Sequence, residues 1–532
     1  MDKTTFTSPV GSAPPDFSLI ARQFTQALAQ PQPMPQPSQD NVTIPDTADN
    51  AYWAYEQLRN AVEYQEQHLL MRSSIGRFLT RWFSLPEKQQ IGYELIRELT
   101  KARYLTNNTV SETTLAEIER KLQAYLQLFD LAKQHHGKKQ EQRLQKWIIN
   151  IASADMQHTL LPNPVQDAVI NFTYHSFQEH LVPPQTLSGD KATILYAAVH
   201  KALLKSDEPT IGFYMFYNQF GQWSHDQASL QATATYFKDF IGTIEKNVKS
   251  KQAPPINRMV RANIAPYVIL YQTLLDSPQP QELVLHPEKL ASRATEMCDI
   301  QFKKARKRLK TSVLRAIIFL FITKLAAGLA IEVPYEQFVY GSVHAVPLAI
   351  NLLFPPLYML LIGLTIKSPN ARNTDKIVHD LRAVLYGQGK VAYEVRSVAT
   401  TKNSTSFNLV YIICTLAVVT GVVALLRLLE FSIVSGIIFF VFLSTVSFFG
   451  YRISQSMREL IVVEKRTGLG VLWGVIMTPF IRFGQWLSDR YSKVNIFMLI
   501  LDFIIEAPFK TLLRLYEQWT AFLREKQDDV LK

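Results

Sequence analysis

Eleven histidines, two cysteines and scattered acidic residues raise the question of a metal or a nucleophile first. The nearest metal-like spacing is His175-Ser-Phe-Gln-Glu179-His180. On a helix, positions five apart lie about 140° apart around the axis, so these imidazoles cannot chelate one ion from a shared face. His135 and His136 adjoin Gly137-Lys138-Lys139, a turn signal that reads as a solvated loop. His225-Asp226 and His379-Asp380 are dipeptides of the type found at the centre of metal-dependent phosphohydrolases, but the flanking ligands that such chemistry needs cannot be placed. No Gly-x-x-x-x-Gly-Lys phosphate loop, Gly-x-Ser-x-Gly elbow or Cys-x-x-Cys pair occurs, and Gly468-Leu-Gly470 lacks the strand of a dinucleotide site. The sequence therefore assigns no catalytic residue, no cofactor and no metal ligand, and an enzyme is the least favoured reading.

Polar groups set in apolar surroundings are the remaining chemistry. Lys324, Asn351, Arg427 and Glu430 lie within or at the ends of long apolar runs, and Pro355-Pro356 follows Asn351. Ionisable groups inside a bilayer mark ion or substrate paths, and paired prolines can free carbonyls to line a site. Lys324, Glu332, His344, Arg427 and Glu430 all come to the outer half of the expected topology, where salt bridging among themselves is the simpler account.

The elements that must position these groups follow from charge and hydropathy. Residues 1–300 carry 28 Lys and Arg against 30 Asp and Glu; residues 301–532 carry 28 against 15. The whole net charge of +11 thus comes from the half that also holds the long apolar runs, which fits membrane orientation and needs no nucleic acid. Four stretches, 313–331, 343–366, 409–429 and 431–451, approach or exceed the roughly 20 helical residues that cross a bilayer. Lys303, Lys304, Arg306, Lys307, Arg308 and Lys310 precede the first, a polybasic juxtamembrane helix at 301–312 that resists translocation and attracts anionic lipid headgroups. The link 332–342 has two Glu and no Lys or Arg, whereas the loop 367–407 has seven cations, so the first is expected outside and the second in the cytosol. Both termini are then cytoplasmic, in a multi-pass protein of a plasma (inner) membrane. No helix breaker separates spans three and four, and a tight hairpin near 427–432 is expected rather than one overlong helix. The tail 452–532 reads as cytosolic or interfacial and amphipathic: 468–483 and 494–507 are short apolar pieces, and 509–523 has one apolar face. Gly470 to Gly474, Ala417 to Gly421 and Ser432 to Gly436 have the small-xxx-small spacing of close helix contacts. The first nine residues do not form a signal peptide.

The N-terminal half is expected to be an all-α cytosolic domain over 47–300, preceded by a disordered Pro/Gln-rich arm at 1–46. Within the arm, Phe17, Ile20, Phe24 and Leu28 share one helical face that could fold on a partner or dock on the protein's own body. Arg72, Arg77 and Arg81 interleave with apolar residues on a long helix, either a membrane-surface helix or an ordinary packed one; Glu56, Glu63 and Glu66 upstream favour packing. The aromatic stretch 209–223 carries no cation and reads as core. Thr114-x-x-Glu117 has the form of a capping box. Together these features describe a polytopic α-helical membrane protein with a large N-terminal cytosolic helical domain. A non-catalytic scaffold or adaptor with a protein partner or a second copy is the favoured function, and a subunit of a small membrane transporter or channel with a cytosolic regulatory domain is the alternative.

Overall fold

The computed structural model describes residues 19–29, 41–45, 49–63, 69–83, 90–182, 190–221, 223–224, 226–248, 250, 252–342, 345–389, 391–395, 404–462, 468–492 and 519. Phe17, His225, His344 and the stretches 494–507 and 509–518 lie outside the described residues. In chain order the first helices are α1 Leu19–Ala27, α2 Asp49–Glu63, α3 Leu70–Phe83, α4 Ile91–Lys101, α5 Glu112–His136, α6 Glu141–Leu160, α7 Pro164–Glu179, α8 Asp190–Leu203, α9 Glu208–Phe220, α10 Gln227–Val248 and α11 Ala253–Asn263. There follow α12 Ala265–Leu275, α13 Pro280–Leu285, α14 Pro287–Ala327, a π turn Gly328–Glu332, α15 Val333–Tyr340, α16 Ala345–Thr365, α17 Ala371–Tyr386, α18 Ser404–Leu428, α19 Ile433–Arg458 and α20 Gly468–Ser492. Two strands, β1 Leu181–Val182 and β2 Tyr393–Glu394, pair in parallel. The chain divides into two units, one built from 27–174 and 185–260, the other from 261–494 with 175–184 and the N-terminal segment. Helices α12 and α13 and the start of α14, expected in the cytosolic domain, thus belong to the unit that holds the apolar helices.

In the first unit α6 packs against α3, α5 and α9, and α10 against α5 and α8. The start of α5 shows how local chemistry sets an element. Ser111 is its cap, accepting the Thr114 N–H at 3.1 Å, so the helix begins two residues before the expected Thr114 box and ends at Gly137, whose φ of 77° favours glycine. Every arginine of the basic stretch on α3 meets a carboxylate: Arg72 Asp207 at 2.7 Å, Arg77 Glu56 at 2.7 Å and Arg81 Glu98 at 2.6 Å. That helix is packed, not laid on a membrane. The aromatic helix α9 is core, with the Phe216 ring against Trp223, Phe237 and Phe240. A β-carbon on Gly212 would sit 2.9 Å from the Trp147 ring, so only glycine lets α9 lie this close to α6.

The second unit joins α12, α14 and α17 to the paired strands. Tyr393 packs its ring on Phe177, and its hydroxyl meets that of Tyr267 at 2.9 Å, which in turn meets Ser176 Oγ at 2.6 Å. Arg382 on α17 pairs with Glu288 on α14 at 2.6 Å. Helix α14 runs through the polybasic residues into its apolar end without interruption. Among the described residues four helices are long and apolar enough to cross a membrane: Pro287–Tyr340, Val346–Thr365, Leu409–Leu428 and Ile433–Gln455. The first continues through the stretch expected as an outer link. Pro355 and Pro356 sit inside α16 without ending it. Between α18 and α19 the chain turns at Glu430, with φ 58°, and Phe431 N donates to the Leu426 carbonyl. The two stretches are therefore separate helices and not one overlong one.

These helices bury Val313, Leu320, Met359, Phe439 and Val446 against one another and leave Leu314, Ile318, Leu329, Leu416 and Ile437 exposed. The close helix contacts are not the expected ones. Gly421 and Gly474 would meet nothing within 4 Å, and Gly436 only Leu426 at 3.9 Å. Gly363 instead faces Val313, at 2.8 Å from a built β-carbon, Gly450 faces Ile362 at 2.7 Å, and Gly484 abuts the Ser444 carbonyl. The last contact belongs to α20, one helix through Pro479 that packs Phe480 and Phe483 on Phe440 in α19.

One buried group in the first unit carries a pH signature. His200 has no exposed surface, lies 4.7 Å from the rings of both Tyr196 and Tyr214, and makes no hydrogen bond through either ring nitrogen. Burial pushes its pKa down to about 3 from the ordinary 6.5. The unfolded chain therefore binds the proton first. Stability from this group is intact above the unfolded value and is lost as pH falls toward the folded one, by about 2 kcal/mol at roughly pH 5. Tryptophan-monitored unfolding of the full chain should show that slope, and His200→Phe should flatten it between neutral pH and about pH 5.

Candidate functional site

The site grows from a lysine on an apolar helix. Lys324 lies in the last turn of α14 and is 1% exposed. A counter-charge on the same helix must come round to its face. Eight steps of 100° in an uninterrupted α-helix would leave residue 332 about 80° off that face. The π turn Gly328–Glu332 takes up one extra residue, which reduces the offset to roughly 20°. Side chains lean toward a helix N-terminus, so Glu332 reaches back toward Lys324. Its Oε2 stands 3.6 Å from the Lys324 ammonium, which also lies 5.0 Å from the Phe442 ring centre. Pro334 occupies the first turn of α15, where a missing N–H costs nothing, and Glu336, four residues beyond Glu332, falls on the same side.

Two further helices complete the cluster. Asn351 on α16 donates through Nδ2 to Glu332 Oε1 at 2.6 Å and to the Ser435 carbonyl at 3.2 Å. Ser432 caps α19 by accepting the Ser435 N–H at 3.2 Å and donates to Ser435 Oγ at 3.0 Å. Ser435 Oγ then donates to Glu336 Oε1 at 3.1 Å. The result is one connected polar chain, Lys324 to Glu332 to Asn351 to Ser435 to Glu336, within an apolar bundle. Glu336, Asn351 and Ser435 have no exposed surface.

The chain is incompletely satisfied. Lys324 Nζ, Glu332 Oε2 and Asn351 Oδ1 have no hydrogen-bond partner. Each such atom costs about 1–3 kcal/mol, more where it is charged. A buried ion pair with good geometry barely offsets its desolvation, and this one has neither a short contact nor full hydrogen bonding. As a stabilising device the arrangement is poor.

The structure brings together Lys324 and Asn351 of the expected polar residues and leaves out two. Arg427 and Glu430 are exposed at the end of α18. Glu332 was expected at the outer surface and is buried; Glu336 and Ser435 were not expected at all. The two glutamates sit in a stretch that reads as an aqueous link because it has acidic residues and no cation, and only the spacing of Glu332 and Glu336 beside Lys324 could have signalled otherwise. Lys303, Lys304, Arg306, Lys307, Arg308 and Lys310 are all exposed along α14, and Arg306 Nη2 also donates to the Pro369 carbonyl at 3.0 Å. Phe24 and Leu28 are buried, and Ile20 is half-buried. Among the described residues no group of three or more His, Cys, Asp or Glu is placed to hold a metal ion. His180 Nδ1 meets the Ser176 carbonyl of its own helix at 2.9 Å. No protein-family model, curated protein or solved structure matches this chain.

Asn351→Leu removes the donor shared by Glu332 and Ser435 and leaves a carboxylate oxygen unpaired, which should destabilise the bundle by about 2 kcal/mol. Arg427→Gln, at an exposed position, should change it by no more than about 0.5 kcal/mol. Thermal unfolding of both variants in detergent compares the two.

Proposed function

We propose that this chain is a multi-pass membrane protein of a plasma (inner) membrane and a subunit of a small transporter or channel, passing a monovalent cation or proton through its helix bundle under the influence of its cytosolic helical domain. The observation that carries the reading is the buried polar cluster that holds Lys324, Glu332 and Asn351, in which Lys324 Nζ, Glu332 Oε2 and Asn351 Oδ1 have no hydrogen-bond partner. Ionisable side chains within a bilayer are rare and mark ion pathways.

Membrane crossing is supported by the outward display of large apolar side chains on the four long helices, the reverse of a water-soluble bundle. Basic residues gather at 301–312, 367–407 and after residue 451, which supports a cytosolic N-terminus, loop and C-terminus. Lys324 then lies about 16 Å along the helix from Val313, near the bilayer midplane, with the glutamates on its outer side. Arg482 over the Tyr411 ring at 4.7 Å sits nearer the cytosolic side. The exposed cations of 303–310 would contact anionic lipid headgroups.

The adaptor reading comes second. It depends on offering Phe17, Ile20, Phe24 and Leu28 to a partner, and the burial of Phe24 and Leu28 supports docking on the protein's own body instead.

Two experiments test the reading. In full-length protein reconstituted into liposomes, dissipation of an imposed H⁺, Na⁺ or K⁺ gradient should exceed that of empty vesicles, and Lys324→Ala should abolish it while leaving insertion intact; absence of all three fluxes in the unmodified protein overturns transport. Orientation is read in intact cells carrying Cys298→Ser and Cys414→Ser with single cysteines at Gln337, Gln388 or Gln518. An impermeant maleimide should label Gln337→Cys alone, and labelling at either other position overturns the topology.

A further inference from the structure

We propose that the first unit holds a binding pocket for a short hydroxycarboxylate, formed by Lys201, Asn247 and Asn257 between helices α8, α10 and α11. The pocket lies wholly within that unit and does not depend on the transport reading. Asn247, next to the last residue of α10, carries the argument. Its side chain is 2% exposed, lines the pocket, and leaves both Nδ2 and Oδ1 without a hydrogen-bond partner. A buried amide is normally paired, and leaving it otherwise is costly. Local structure does not explain the exception. The turn after α10 is held without this side chain, by the Ser250 N–H on the Asn247 carbonyl and the Ala253 N–H on the Ser250 carbonyl.

The other polar groups decide the charge of the occupant. Lys201 on α8 and Asn257 on α11 also line the pocket, both half-buried, and their side chains enter no hydrogen bond or ion pair among the described residues. No Asp or Glu is among the lining residues. An ammonium with no carboxylate beside it attracts an anion and repels a metal ion or an amine. The two amides add N–H donors for the same anion. Asn247 Oδ1 is an acceptor that an anion alone leaves unpaired, so the occupant must also bring a neutral donor, which a hydroxyl supplies. A water could pair the amide, but it gives the ammonium no counter-charge.

Size and lining restrict the carbon skeleton. The pocket is partly open to solvent and encloses about 310 Å³ of empty space, in about 20 Å³ of which the centre of a water-sized atom fits. That is room for a molecule of a few heavy atoms and too little for a nucleotide or a lipid chain. Ile194 of α8 with Ile244 and Val248 of α10 form apolar wall, against which a short hydrocarbon part packs. Mostly apolar lining with a few placed polar groups is the usual form of a small-molecule site. A carboxylate at Lys201 and the amide N–H groups, with a hydroxyl donating to Asn247 Oδ1, satisfies each unpaired group. Binding is non-covalent.

The test titrates lactate, propionate and propylene glycol separately into the full-length protein in detergent, followed by saturation-transfer NMR of the ligand protons. Lactate should bind saturably. Propionate, which lacks the hydroxyl, and propylene glycol, which lacks the carboxylate, should each bind about tenfold more weakly or worse. Lys201→Met should weaken lactate binding by about tenfold or more, and Asn247→Leu should abolish the preference for lactate over propionate. Asn247→Leu exchanges an unpaired buried amide for an apolar side chain of similar size, so its melting temperature should not fall. If that variant does not fold, Lys201→Met decides alone. Absence of a saturable lactate signal, or lactate binding unchanged by Lys201→Met, overturns the site. Equal binding of propionate overturns the hydroxyl, and equal binding of propylene glycol overturns the anion.

Discussion

A lysine inside an apolar helix bundle needs a counter-charge, and the surrounding part of the bundle is arranged around that need. The nearest carboxylate on the same chain is eight residues away and would miss Lys324 in a regular helix. The π turn corrects the miss. Once Glu332 faces inward, its second oxygen needs a donor, which α16 provides through Asn351. The same amide holds the start of α19 through the Ser435 carbonyl. One unfavourable charge thus accounts for a helix defect and for the meeting of three elements.

The other unit follows the same rule with a different outcome. Arg72, Arg77 and Arg81 each find a carboxylate from a distant part of the chain at ordinary ion-pair distance. Asp155 is buried but takes the Tyr125 hydroxyl and the Lys121 ammonium, each at 2.9 Å. The arginine ion pairs there close to 2.6–2.7 Å, whereas Lys324 and Glu332 stand 3.6 Å apart.

Hydropathy made the long helices legible. The stretches 343–366 and 409–429 correspond to Val346–Thr365 and Leu409–Leu428 within a few residues, because twenty apolar positions leave little choice. The site was only half legible. Lys324 and Asn351 stand out as polar residues in apolar runs, but Glu332 and Glu336 follow the run, where acidic residues normally mark water. A one-residue register change decides the matter, and composition does not report register. Helix contacts show the same limit. Gly421 and Gly363 both lie in apolar helices, yet only Gly363 meets a neighbour, Val313, because facing depends on the partner helix and not on the spacing within one. The cap of α5 moved from Thr114 to Ser111 for a similar reason: several hydroxyls compete there, and geometry selects one.

The regulation proposed above would need a physical connection to the cluster, and the second unit contains two. Helix α14 is continuous from Pro287 to Ala327, so Glu288, paired with Arg382 of α17, and Lys324 belong to one rigid rod. Helix α19 carries Ser435 near its start, and soon after its end the Val462 N–H is held by Asn373 of α17 at 3.1 Å. Helix α17 therefore touches the chain of both helices that hold the cluster. Beyond it, the chain forms β2, whose Tyr393 is bound through Tyr267 and Ser176. Because packed helices move as units rather than bending freely, displacing α17 would alter the spacing of α14 and α19. The Lys324 to Glu332 separation is already longer than a hydrogen bond, and a small change in that spacing would make or break it. An ion pair at 3.6 Å is more readily made or broken by such movement than the 2.7 Å pair of Arg72 and Asp207.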